Sequence, residues 1–393
     1  MNDRPQTLNQ ALSAASPFLK GVAIIGIILH HYYRGLYGIT QNVQWIYSGS
    51  FLGIFSENFF SGVAGAFVSA FYYLGYMGVS IFFVLSGWGL AVSALKRGAE
   101  NFSLLSYFKN RIVKIFPLYL ASLVFFGLLF YGQGGQGFLN QFLGSLAKLL
   151  LLTNYSPSDI FTINPSFWFL GTIGILYILF PVIFLAASKK PGITLVSTLA
   201  IAYLSTLAIQ STPLQQWHPF FAMGGFPLAK LGEFSLGIFI AIVAERQAAS
   251  SGLIFKNAKN IIIALALLLL GFFSFSNDLF YPLHPILLVI PTIFFLTKFH
   301  QSAFSLPILA KPITYAGIYS YSAFLLHRPF VDAWIDAYNQ NGHPILFGLI
   351  FLSTSVVLCS LFEIVCNKYT TPLIAASVSR AFGNFSSKKP AKI

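Results

Sequence analysis

The chain has 393 residues, of which 56% are hydrophobic and only 8% charged. Soluble domains carry about a quarter charged residues, so this composition excludes a soluble globular protein and points to an all-α, polytopic membrane helix bundle. The net charge of +13 does not indicate nucleic acid as a partner: the basic residues fall in short clusters between apolar runs, as expected beside membrane lipids, and form no stripe alternating with aromatics.

Taken in order, apolar runs long enough to span a bilayer predict about ten transmembrane helices. They lie near 18–37, 73–95, 113–132, 167–187, 192–210, 227–245, 258–275, 283–299, 313–334 and 343–366. Residues 1–17 read as a cytoplasmic N-terminal segment. Its small residues, Ala14, Ala15 and Ser16, precede the first apolar run, whereas a signal peptidase site follows one, so the first helix is expected to be retained. Residues 46–72 are rich in Gly, Phe and Ser and suggest interfacial or re-entrant structure. Residues 139–152, with Lys148, suggest a helix lying on the membrane. Residues 368–393 form a basic tail, leaving 18–367 as one transmembrane domain with no internal repeat.

Orientation follows from Lys and Arg. With the N-terminus in the cytoplasm, segments 1–20, 96–114, 188–191, 246–259, 298–312 and 367–393 face inward and hold 19 of the 23 basic residues. This bias predicts both termini inside, in a multi-pass protein of the inner (plasma) membrane. Cys359 and Cys366, seven residues apart on one helix, would be about 10 Å apart, too far for a disulfide. No metal-ligand spacing is present.

The first helix carries the most informative polar residues. Lys20 and His31 are eleven positions apart, about three turns and roughly 16 Å, on nearly the same face. Arg34 shares that face, whereas His30 points about 100° away. Ionisable groups inside a membrane are costly and mark functional sites by default; the competing reading makes Lys20 and Arg34 interfacial anchors and the histidines bundle residues. The second helix contains Gly78-Val79-Ser80-Ile81-Phe82-Phe83-Val84-Leu85-Ser86-Gly87, whose small residues suit close helix packing or a groove for a thin acyl-pantetheine arm with Ser86 on its wall. In the segment entering the third helix, Arg111 and Lys114 sit one turn apart, either as phosphate clamps or as positive-inside anchors.

Trp168 opens the fourth helix as an interfacial aromatic. Glu233 lies within the sixth helix and needs a partner or a polar cavity, with Lys230 nearby in sequence. The ninth helix carries Ser320-Tyr321 through His327-Arg328-Pro329, with His327 at a depth similar to His31. Asp332 and Asp336 are candidate partners for the arginines. His218, His284 and His343 stand beside prolines or helix ends and read as ordinary boundary residues.

Together these stretches resemble the integral-membrane acyltransferase 3 family over about 18–367. Lys20 and His31 match its Arg/Lys-ten-residues-His motif, Gly78–Gly89 its GVxxFFxLSG segment, and Arg111 and Lys114 its Arg-x-x-Arg motif. Trp168-Phe169-Leu170 with Tyr177 and Pro181 matches its tryptophan helix, and Ser320-Tyr321 through His327 and Pro329 its closing segment. The resemblance implies acyl transfer across the membrane, often of acetyl from cytoplasmic acetyl-CoA, to a hydroxyl of an envelope carbohydrate or lipid-linked glycan. Acyl-CoA is then a donor substrate, and no permanently bound cofactor is implied.

By carry-over, His31 is the essential histidine, Lys20 its motif partner, and Arg111 with Lys114 the acyl-CoA phosphate clamp. His31 would act as general base or transient acyl carrier. Arg34, Tyr33, His327 and Arg328 are candidates to support it. Two departures stand out: the tryptophan helix lacks the glutamate many members have, and Lys114 replaces the second arginine. The competing function class is a proton-coupled exporter of a glycan or acyl compound, which Glu233 and the polar helix lines would also suit.

Overall fold

The computed structural model describes residues 7–36, 62–98, 102–131, 146–157, 160–211, 213, 218, 221, 225–247, 258–274, 277, 279–302, 306–338 and 343–382. Among them every regular element is a helix. The long elements are α1 (Leu8–Leu36), α2 (Val63–Leu95), α3 (Leu104–Tyr131), α4 (Trp168–Lys189), α5 (Pro191–Ser211), α6 (Leu231–Arg246), α7 (Ala258–Phe273) and α8 (His284–Gln301). They are followed by α9 (Pro307–Ile318), α10 (Ser320–Leu326), α11 (Val331–Tyr338) and α12 (Pro344–Phe382). Helices sit at all ten expected positions. Among the described residues, eight are long and apolar enough to cross a membrane; α7 is shorter, and the expected ninth span is broken into α9, α10 and α11.

Local signals explain the differences. α1 begins at Leu8, ten residues before the expected start. Thr7 and Gln10 form a reciprocal capping box: Gln10 N donates to Thr7 Oγ1 at 3.2 Å, and Thr7 N donates to Gln10 Oε1 at 2.9 Å. Pro17, a boundary by the sequence reading, lies inside this helix. α3 likewise starts nine residues early, where Ser103 Oγ accepts from Ser106 N at 3.3 Å. Arg111, two residues before the expected start, is therefore helical like Lys114. Residues 63–72, expected as interfacial or re-entrant structure, are the first turns of α2, and the first part of the expected basic tail, 368–382, continues α12 as helix. The rest of the expected 46–72 element, up to 61, lies outside the described residues.

Of the surface helix expected at 139–152, residues 139–145 lie outside the described residues; Leu146–Leu149 form one helical turn, and a 3₁₀ turn, Thr153–Tyr155, follows. This segment is tied into the bundle. Tyr119 Oη donates to Lys148 O at 2.6 Å, and Asn154 Nδ2 donates to Trp168 O at 2.7 Å. Lys148 is buried.

The ninth span breaks at two places. At Tyr319, between α9 and α10, the backbone leaves the helical range, while Ala323 N still donates to Tyr319 O at 3.1 Å and Ser322 Oγ shares that carbonyl at 2.8 Å. Pro329, in the 3₁₀ turn Arg328–Phe330 that follows α10, has no N–H to continue the helix. Broken helices at membrane depth are tolerated where neighbouring protein satisfies the freed groups.

α1 is the central rod. Leu19, Ala23, Ile24, Ile28 and Leu29 are all buried, and it packs most extensively on α2 and α9. Small residues make the crossings close. A Cβ at Gly78 of α2 would press on the Ala23 carbonyl, and one at Gly317 of α9 on the Pro17 carbonyl. α2 and α6 cross through Gly87 and Gly237, each against the other's backbone. Asn9 locks the same three-helix contact: its Oδ1 accepts from Trp88 Nε1 at 3.0 Å, and its Nδ2 donates to Ala241 O at 3.0 Å. α5 and α7 lie outside, with Val196, Leu204, Ile262 and Leu269 exposed as a lipid-facing surface.

Candidate active site

The polar residues of the bundle converge on two cavities at different levels of α1. The inner one, named for the orientation expected from the Lys and Arg distribution, is about 380 Å³ and is lined by Lys20, Ser86, Arg111, Lys114, Tyr177, Tyr321 and Glu363 among others. The outer one, about 340 Å³, is lined by His30, His31, Arg34, Tyr76, Trp168, Lys230, His284 and Arg328 among others. The eleven-residue spacing thus places Lys20 and His31 in separate chambers along one face of a helix.

On the wall of the outer cavity, His31 Nδ1 lies 2.8 Å from Nε2 of the buried His327, with the rings stacked at 5.1 Å and 16° between planes. The other His327 nitrogen, Nδ1, is 2.7 Å from Ala323 O. A carbonyl only accepts, so His327 Nδ1 carries the proton, and in the neutral ring its Nε2 holds a lone pair. His31 must then donate from Nδ1, which leaves His31 Nε2 as the basic nitrogen. A backbone carbonyl and one histidine thereby fix the tautomer of another.

His327 is held in turn by its chain neighbours. Asn164, fully buried just before α4, accepts from Ser166 N at 2.9 Å through Oδ1, and its Nδ2 donates to Leu325 O. The end of α10 is thus tied to the start of α4, two residues before His327.

Lys230 and Glu233 form an ion pair at 2.9 Å, and Ser80 Oγ donates to the same carboxylate oxygen at 3.4 Å. Glu233 itself is buried, so the acid that needs a partner by the sequence reading has one. Asp336, a candidate partner for the arginines, is exposed, and the side chain of Asp332 lies outside the described residues. Tyr33 is fully buried with its ring edge-on to Tyr32 at 5.1 Å, in the core rather than on either cavity.

Two histidines that sequence reasoning assigns to boundary or packing roles line the outer cavity. His30 stands at 5.7 Å from the His31 ring despite its different helix face. His284 is buried: its Nδ1 faces Tyr281 O and its Nε2 accepts from Tyr76 Oη. The sequence signal for His284 is a histidine followed by a proline in the first helical turn, which holds it at the mouth of α8 rather than outside it.

In the inner cavity, Arg111 lies 5.8 Å over the Tyr177 ring, and Arg111 and Lys114 face the chamber from adjacent turns of α3. Glu363 of α12 faces Lys114 across it, close enough for their charges to interact, and also accepts from Ser322 N at 3.4 Å. In sequence it is only a lone acid in an apolar run. Tyr321 Oη donates to Ile115 O at 3.0 Å, tying α10 to α3. Of the sequence-predicted residues, the structure brings Lys20, Ser86, Arg111 and Lys114 together below. It brings His31, Arg34, Trp168, Lys230 and Arg328 together above, with His327 buried against His31 and Glu233 paired with Lys230.

A family model described as an acyltransferase domain, that of the acyltransferase 3 family, matches residues 17–364. No curated protein and no solved structure matches the chain.

Proposed function

The chain belongs to the acyltransferase 3 family, and on that premise we propose that this membrane acyltransferase carries an acyl group, most often acetyl, from cytoplasmic acyl-CoA to a carbohydrate hydroxyl outside. The observation that supports this reading most is the pair of cavities along α1, a basic one holding Arg111 and Lys114 and another holding the His31–His327 pair.

Acyl-CoA enters as a substrate from the side of Arg111 and Lys114. Arg111 supplies a planar donor fork and Lys114 a mobile point charge for its phosphates. The thin pantetheine arm extends along the Lys20 face of α1 towards His31. The acceptor, a glycan or lipid-linked sugar, enters the outer cavity, where Trp168 offers an apolar ring face and His30, Tyr76 and His284 offer hydrogen-bonding groups.

His31 Nε2 takes the proton of the acceptor hydroxyl. The oxygen attacks the thioester carbonyl, the new C–O bond forms, and the C–S bond breaks. The leaving thiolate recovers the proton from the imidazolium, giving an ester and free CoA thiol. General-base help of this kind contributes about 10²–10⁴-fold. Arg34 and Arg328, lining the same cavity, oppose the negative charge that develops on the carbonyl oxygen. The same lone pair on Nε2 would serve if the acyl group rested transiently on His31.

The direct test compares surface glycans, by mass spectrometry, from cells expressing the protein or its His31→Ala variant. A difference of one acyl mass at equal protein level is the expected result. Purified protein that moves substrate into vesicles without releasing CoA thiol would point instead to an exporter.

A further inference from the structure

The two cavities are separated at one level of the bundle by Phe324. This side chain lines both chambers and is buried between them. Its ring stands 4.7 Å from Phe169 and 6.4 Å from Phe82, each of which lines the inner chamber. The His327 ring is 6.3 Å away, edge-on.

The helices around it change chambers at this same level. On α2, Val79 lines the outer cavity and Phe82 the inner. On α4 the change falls between Trp168 and Phe169, adjacent residues. Val79 and Ser86, on opposite sides, are two turns and about 10 Å apart along one face of α2. The barrier is therefore about one aromatic ring thick. It stands on α10, the seven-residue segment set between two helix breaks.

We propose that Phe324 is the specificity-determining partition of the enzyme: it seals the His31 chamber from the donor side and sets the size of acyl group admitted past it. The ring must yield for a thioester to reach His31 from the Arg111–Lys114 side. A small acyl group passes beside the displaced ring, whereas a longer one meets Phe82 and Phe169. When no donor is present, the closed ring keeps water of the donor side away from the histidine pair. The acyl-size half of this proposal rests on the acyl-transfer reading above; the barrier half does not.

The two halves are tested separately. For the barrier, Cys359 and Cys366 are changed to Ser, and Val79→Cys or Ser86→Cys is added. A small charged thiol reagent is then applied to vesicles from the Lys114 side. Ser86→Cys should be labelled in every background, and Val79→Cys only when Phe324→Ala is also present. Equal labelling of Val79→Cys with Phe324 intact, or none in Phe324→Ala, overturns the barrier.

For acyl size, thiol release is followed with acetyl-, butanoyl- and hexanoyl-CoA. In Phe324→Ala the preference for acetyl over hexanoyl should fall by about tenfold or more, and acceptor-independent thiol release should rise. An unchanged preference overturns acyl-size control even if labelling changes. If wild-type protein consumes no acyl-CoA at all, the acyl-transfer reading and the size half fall together, and labelling still decides the barrier. Should Phe324→Ala not yield folded protein, Phe324→Leu, which keeps most of the apolar volume, carries the same measurements with smaller changes in the same directions.

Discussion

His31 and His327, 296 positions apart in sequence, meet nitrogen to nitrogen at 2.8 Å, and the second fixes which nitrogen of the first is basic. The chain of protons runs one way, from His31 through His327 to the Ala323 carbonyl. This arrangement gives the two residues unequal roles. In the proposed reaction His31 faces the reacting atoms and His327 positions it.

Replacing His31 by Ala should lower kcat by about 10²–10⁴-fold, the range for a lost general base. Replacing His327 by Phe, which keeps the ring but not the acceptor nitrogen, should lower kcat by a comparable factor and leave KM for acyl-CoA unchanged. Because the two act as a unit, the double variant should be no slower than the worse single variant. Losses that multiply in the double variant would show that His327 acts independently of His31. The measurement is steady-state thiol release with a soluble glycan acceptor.

The inner cavity should show the opposite kinetic signature. On the proposed reading, Arg111→Ala and Lys114→Ala remove charges that bind donor phosphates equally in ground and transition states. KM for acyl-CoA should rise by about 10–100-fold, from about 1.5–3 kcal/mol for each charged hydrogen bond, with kcat little changed. Lys114→Arg should lower KM, since a guanidinium grips phosphate with two donors. Titration of purified protein with CoA by calorimetry gives the same comparison without turnover, and unchanged affinity in both Ala variants would place the donor elsewhere.

Much of this site is legible in the sequence because its residues are expensive in a membrane. Lys20, His31, Glu233 and His327 stand out in apolar runs, and helical spacing alone relates Lys20 to His31. What spacing does not give is the depth of each helix. Apolar content sets the expected helix starts, whereas the true starts of α1 and α3 are set by the Thr7–Gln10 capping box and the Ser103 cap. The apolar content that sets the expected ninth span runs straight through Pro329, where the helix gives way to a 3₁₀ turn. His30 and His284 escape the sequence reading for a different reason. Each lies on a face that is a boundary for its own helix and a cavity wall for the assembled bundle. Glu363 and Asn164 show the same limit: their partners sit 41 and 161 residues away.

Asn164 yields a prediction that separates support from chemistry. Its side chain joins the start of α4 to the Leu325 carbonyl at the end of α10. Asn164→Leu keeps the volume and strands that buried carbonyl, together with the Ser166 N–H. The expected cost is about 1–3 kcal/mol per unsatisfied group. The melting temperature in detergent should fall, and kcat should fall beyond what the folded fraction explains, because α10 leads directly into His327. A stability loss with normal kcat per folded molecule would mean that α10 holds its position without this tie.

The helix crossings give a contrast that tests the packing itself. Gly237 of α6 faces the Val84 carbonyl and the Trp88 N–H of α2, so a Cβ there meets backbone that has no rotamer to yield. At Gly89, two residues beyond Gly87 on α2, an added Cβ would have no neighbour within 4 Å. Gly237→Val should therefore separate α2 from α6, at a cost of about 1–3 kcal/mol or more for an overpacked site. It would also disturb the Asn9–Trp88 bond beside it. Gly89→Ala meets no neighbour and removes backbone entropy from the unfolded helix, so it should be neutral or stabilising by up to about 1 kcal/mol. Thermal unfolding of the two variants, followed by size-exclusion chromatography after heating, should move in opposite directions or leave Gly89→Ala unmoved. If both lost stability equally, glycine's helix-specific flexibility rather than close α2–α6 contact would account for these positions.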